Sequence, residues 1–166
     1  MGYRQPGYHQ DRYARYEKRE EKYRETRTII EKVKNMKSLT ELSQSEFAGI
    51  DGWAAKIAWE LKDDLKTTQL RKFFDPLVKD KSDLEKKKRS WNEVKGTLYA
   101  ALPLLAYSVG RGLAPDVFRD LMETCIKKAL SESDERGFLR FMEFLEALVA
   151  YDTYYEKVRE RGRGGD

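Results

Sequence analysis

Apolar residues at a fourfold spacing dominate the middle of the chain. Trp53, Ile57, Leu61 and Leu65, with Ala54 and Ala58 beside them, place a helix over roughly 51–65. The next stripe, Leu70, Phe73, Phe74 and Leu77, belongs to a helix over 66–77. Pro76 is predicted to end or kink it, because proline lacks an N–H and clashes with the preceding turn. "KDKSDLEKKKRS" reads as a solvated connection or the charged lead-in to a helix, with Ser82 a candidate cap. Trp91, Val94, Leu98, Leu102, Leu105, Ala106 and Val109 continue a helical stripe that stops at Gly110 and Gly112, with Pro103 as a kink. Pro115 stands at a favoured first helical position, followed by the pairs Val117/Phe118, Leu121/Met122, Cys125/Ile126 and Ala129/Leu130. Beyond "SESDERG", a last long helix turns Phe138, Phe141, Met142, Leu145, Leu148, Val149 and Tyr155 inward.

The first residues differ. Their apolar content is mostly tyrosine, which predicts a flexible arm up to about Gln10 and then a charged helix towards Lys37, where Ile29, Ile30 and Val33 supply a contact face. A Ser/Thr-rich loop, "KSLTELSQSEFAG", follows. No period-two alternation competes and no internal repeat appears. The expected architecture is all-α, a compact bundle of about five or six helices with mostly antiparallel neighbours. A flexible basic N-terminal arm and a short basic C-terminal tail flank it. The chain divides into a Tyr/Arg-rich arm with its charged helix (1–37), the bundle (38–156) and an RGG-like tail (157–166).

A chain of 166 residues is long enough for one domain with a buried core. Cys125 has no disulfide partner, and no apolar run reaches the roughly 18 residues of a membrane span or makes a signal-peptide core, so a soluble, cytoplasmic protein without membrane contact is expected. The net charge of +4 is unevenly spread. Over 1–37, 11 Lys/Arg stand against 6 Asp/Glu, and over 157–166, 4 against 2, which leaves residues 38–156 at −3. Any anion site in the bundle is therefore a local patch.

Few residues could support catalysis. The single His9 lies in the arm, so a His-based acid/base or metal site has no second member. Cys125 occupies a core position, adjacent carboxylates such as Asp63/Asp64 and Asp134/Glu135 diverge on a helix, and "GRG" at 110–112 is too short for a phosphate loop. No catalytic residue, metal or cofactor is expected. Binding chemistry is better represented. "KTTQLRKFFDPL" starts a helix with Lys66, Thr67, Thr68, Gln69, Arg71 and Lys72, where the macrodipole would favour acids. If Thr68 caps, the N–H groups of Gln69, Leu70 and Arg71 join two hydroxyls and three cations in a phosphate site. The alternative is a plain cap with Arg71 paired to Asp75. Arg4, Arg12, Arg15 and Arg19 among Tyr3, Tyr8, Tyr13 and Tyr16, like the RGG-like tail, have the composition of single-strand binders or of solubilising ends.

Three stretches, "LKTTQLRKFF" at 65–74, "LLAYSVGRG" at 104–112 and "FMEFLEALVAYDTYY" at 141–155, resemble the Csm small subunit of type III-A CRISPR effector complexes. The resemblance covers roughly residues 50–156, with Pro76 a departure from its pattern. It implies a non-catalytic helical bundle that stacks head to tail with copies of itself. Its implied partners are the crRNA and target RNA, the backbone subunits and the Cas10-type large subunit. It makes Lys66, Thr67, Thr68, Gln69, Arg71 and Lys72 the first candidate RNA-facing surface and Arg111 the second, with Tyr107 and Tyr151 as packing residues with polar tips. Trp59 and Leu139 are candidate subunit contacts. Two other readings remain: a stand-alone helical RNA- or DNA-binding protein using its Tyr/Arg arm, and a helical adaptor that binds only protein.

Overall fold

The computed structural model describes residues 7–164, and of residues 7–12, 19 and 20 only the backbone. Eight α-helices follow one another: α1 (Gly7–Lys22), α2 (Arg24–Asn35), α3 (Gln44–Phe47), α4 (Trp53–Leu61), α5 (Thr67–Glu85), α6 (Trp91–Gly110), α7 (Asp116–Leu130) and α8 (Arg136–Arg163). A 3-10 turn, Leu39–Glu41, lies between α2 and α3, and no strand occurs among the described residues. The all-α bundle is as expected, with more helices because the N-terminal stretch breaks at Tyr23 and the Ser/Thr-rich loop coils into two short turns. The arm reading falls partly outside the described residues, and Gly7–Gln10 are helical. α8 carries the basic stretch on to Arg163.

α8 is the axis of the bundle. Phe138, Phe141, Met142, Phe144 and Leu145 are fully buried on it, and α3, α4, α5, α7 and the 3-10 turn pack around it. α2 lies across α4 and α7, and α6 across α5 and α7. The paired stripe of α7 is wide enough to face several neighbours at once. Cys125 lies within it, and burial pushes its thiol up to about 12, so it is a neutral core group.

Two expectations from proline and serine are corrected. α5 continues past Pro76 to Glu85, so the proline does not end it. Leu70 and Leu77 are buried on either side, and Pro76 and Lys72 are exposed, so the backbone carbonyl that the proline leaves unpaired lies on the solvent side. Ser82 lies inside α5, and Ser90 caps α6 instead, its hydroxyl accepting from Glu93 N while the Glu93 carboxylate accepts from Ser90 N. α6 ends as the glycines predict. Gly112 takes φ +69°, Leu113 N donates to Ser108 O at 2.9 Å and Gly112 N to Val109 O at 2.9 Å, a Schellman turn.

Carboxylates remote in sequence close other helix starts. Glu60 on α4 accepts from Glu25 N and Thr26 N, both at 2.8 Å, and from Thr26 Oγ1 at 2.6 Å, at the start of α2. Glu132 accepts from Leu39 N at 2.8 Å and Ser38 Oγ at 2.9 Å, at the start of the 3-10 turn. Gly137 leaves the room this needs, since a Cβ there would collide with the Glu132 carboxylate. These interactions satisfy free N–H groups and complement the helix dipole.

Candidate nucleic-acid interface

The start of α5 is built two residues earlier than the phosphate reading assumed. Lys66, in extended conformation, is the N-cap, and its carbonyl accepts from Gln69 N at 2.9 Å and Leu70 N at 3.1 Å. The N–H groups of Gln69 and Leu70 are thus already used, and those that open the helix belong to Thr67 and Thr68. Thr68 does not cap, because no side chain bonds the N-cap turn. Thr67 turns inward, and its hydroxyl donates to Asp152 Oδ2 of α8 at 2.5 Å, with both residues buried. α5 has no acidic residue in its first turn, yet a carboxylate is delivered to that end from 85 residues away. Burial raises the Asp152 carboxyl above the usual range, and the Thr67 hydroxyl works against that shift.

Lys66, Thr68, Arg71 and Lys72 remain exposed. Arg71 reaches Thr153 Oγ1 at 3.5 Å and is not paired with Asp75. Gln69 is half-buried and donates to Ser108 Oγ on α6 at 3.1 Å, which ties the start of α5 to the far end of α6. Arg111, the C-cap residue of α6, lies with its guanidinium 5.8 Å from the Tyr107 ring centroid and donates to Tyr107 Oη at 3.4 Å. The two candidate surfaces are therefore neighbours across the Gln69–Ser108 bridge. Among the described residues, Lys66, Arg71, Lys72 and Arg111 form no ion pair.

Sequence reasoning missed three residues here. Asp152, Lys62 and Arg159 join Lys66, Thr67 and Thr68 around a hollow of about 430 Å³ of mixed charge. Arg159 donates to Lys62 O at 3.0 Å and pairs with Asp63 at 3.1 Å. A carboxylate isolated on the apolar side of α8 was the one available signal. Tyr151 donates to Ala48 O at 2.7 Å, the packing role with a polar tip expected of it. Trp59 is 54 % exposed, with the Lys62 ammonium 3.9 Å from its ring and Tyr155 against its edge, whereas Leu139 packs partly buried on the core. Among the described residues no group of three or more His, Cys, Asp or Glu could hold a metal ion, and no helix is long and apolar enough to cross a membrane.

A family model described as Csm2 Type III-A matches residues 44–158. The chain belongs to the Csm2 Type III-A family. Csm2 proteins are the small subunits of type III-A CRISPR effector complexes, and the family is structural and non-catalytic. No curated protein and no solved structure matches the chain. The Csm2 match runs from α3 into the last turns of α8 and contains all seven candidate residues. α1, α2 and the 3-10 turn precede it, although α2 packs on α4 and α7 as an integral part of the bundle.

Proposed function

We propose that this Csm2 subunit stacks with copies of itself inside the effector complex and lines the path of the crRNA and target RNA, holding phosphates with Lys66, Thr68, Arg71, Lys72 and Arg111. The backbone subunits and the Cas10-type large subunit are its other partners, and it supplies no catalytic group. One observation carries the reading. Asp152 meets the positive end of α5 from within, and Lys66, Arg71, Lys72 and Arg111 form no ion pair with a carboxylate among the described residues. Phosphate oxygens would complete them, with the first N–H groups of α5 alongside. Thr67 is not among the contacts, because its hydroxyl is committed inward.

Contacts of this kind do not read sequence, which guide pairing supplies in RNA-guided systems. A few phosphates per copy suffice when linked copies reinforce one another. Binding of the free protein to single-stranded RNA is expected to be weak, with a log-log salt slope of about −2 to −3.5 for three to five phosphates. The double substitution Arg71→Ala/Lys72→Ala should flatten that slope by roughly 1.4. Deletion of residues 1–22, which leaves α2 intact, should keep most of the affinity. A slope near zero would contradict phosphate contacts of any kind, and affinity that vanishes with residues 1–22 and survives the double substitution would move the site to α1.

A further inference from the structure

Between Lys95 and Arg111, α6 carries no charged side chain. That is the composition of a helix buried all round. Yet Tyr99, Leu104 and Tyr107 are 60 %, 64 % and 59 % exposed, because α6 packs mainly on α5 and α7 and turns these side chains away from both. Beside Leu104 and Tyr107, a hollow of about 340 Å³ opens between α5 and α6, floored by Phe73, Leu77, Leu105 and Phe118, with Leu113 beyond the Schellman turn also lining it. Single exposed apolar residues are ordinary on a protein surface, but a continuous apolar groove marks a place where another molecule sits.

The charges around the groove narrow the occupant. Lys72 is the one charged residue lining it, no carboxylate does so, and Arg111 stands one turn beyond Tyr107. We propose that the groove docks an amphipathic helix of another protein chain, one whose apolar residues are flanked by Asp or Glu. Leucines from that helix would fill the hollow between α5 and α6, and its carboxylates would meet Lys72 and Arg111, competing with RNA phosphates for those two cations while Lys66, Thr68 and Arg71 stay with the RNA. RNA fits this groove poorly, since its affinity comes from phosphates and the floor is aliphatic and aromatic carbon. The exposed end of α8 in a second copy fits poorly too. Its Tyr154 and Val158 are flanked by Lys157 and Arg161 as much as by Glu156 and Glu160.

The test uses a fluorescein-labelled helical peptide with Leu at i, i+3, i+4 and i+7 and Glu at its other positions, beside a peptide with the same leucines and Lys for Glu. Fluorescence anisotropy with the full chain should show the Glu peptide binding on the order of tenfold more tightly. Lys72→Glu/Arg111→Glu should reverse that preference. Leu104→Asp and, separately, Leu113→Asp should abolish binding of the Glu peptide while leaving the thermal melt and the RNA titration unchanged; both side chains are exposed, so neither change disturbs the core. Equal affinity for the two peptides, or no binding of either, overturns the proposal. So does a loss of RNA affinity in folded Leu104→Asp, which would give the groove to RNA. Self-association that Leu104→Asp abolishes without any peptide binding would give it to a second copy.

Discussion

Replacing Arg89 with methionine is expected to cost about 3–5 kcal/mol of folding stability, because it strands a buried carboxylate. Asp80 on α5 is 2 % exposed, and its Oδ1 accepts from Arg89 Nη1 at 2.5 Å while Oδ2 has no partner. Arg89 stands in the connection that leaves α5, and its other terminal nitrogen donates to Glu93 O at 3.0 Å and Thr97 Oγ1 at 3.1 Å on α6. One guanidinium thus holds the end of α5 against the start of α6. Burial raises the Asp80 carboxyl, and Arg89 opposes that shift by charge and hydrogen bond. The raised value means that the folded state holds this proton to higher pH than the unfolded chain does. The penalty for its charge is therefore in force above the folded value and is relieved as pH falls through it. In Arg89→Met the relief should be larger. The double substitution Asp80→Leu/Arg89→Met should recover most of the loss, since removing both charges leaves nothing unpaired. Urea unfolding checks this, and an Arg89→Met protein within about 1 kcal/mol of wild type would contradict it.

Thr67→Val should cost about 1.5–3 kcal/mol, the range for a hydrogen bond to a charged group. The Thr67 hydroxyl is the side-chain donor to Asp152, and without it the carboxylate lies at the start of α5 with only the helix end and the more distant Arg71 to stabilise its charge. The sign of the pH dependence follows as for Asp80. The Asp152 carboxyl is raised by burial, so its contribution to stability improves as pH falls through the folded value and worsens as pH rises. Asp152→Asn removes that dependence, and Thr67→Ser, which keeps the hydroxyl, should restore most of the stability lost in Thr67→Val. RNA affinity of the folded Thr67→Val protein should equal that of wild type, because the hydroxyl faces the core. Reduced affinity in the folded variant would return Thr67 to the RNA surface.

Local chemistry was legible in the sequence where it is short-range. The paired stripe of α7, the apolar face of α8 and the Gly110/Gly112 stop of α6 all follow from spacing and from the left-handed turn that Gly112 makes. The length of α5 is not legible, because proline reads locally as a breaker, whereas Leu77 beyond it is buried in the core and the helix runs on to Glu85. The candidate site was legible in composition and not in direction. A lysine- and arginine-rich helix start reads as an anion site until its partner is known, and that partner, Asp152, is remote in sequence and comes close only through the packing of α5 on α8. The same holds for Glu60 at α2 and Glu132 at the 3-10 turn. Such long-range caps have no local signature.

The most direct measurement is photocrosslinking in the assembled effector complex. Guide and target RNAs carrying 4-thiouridine would be loaded with this subunit in place, irradiated, and the crosslinked peptides sequenced. Crosslinks on residues 66–72, joined by the Tyr107–Arg111 turn and lost with Arg71→Ala/Lys72→Ala while the subunit stays in the complex, are the predicted result. Crosslinks confined to α1, or an incorporated subunit with none at the start of α5, would contradict the account.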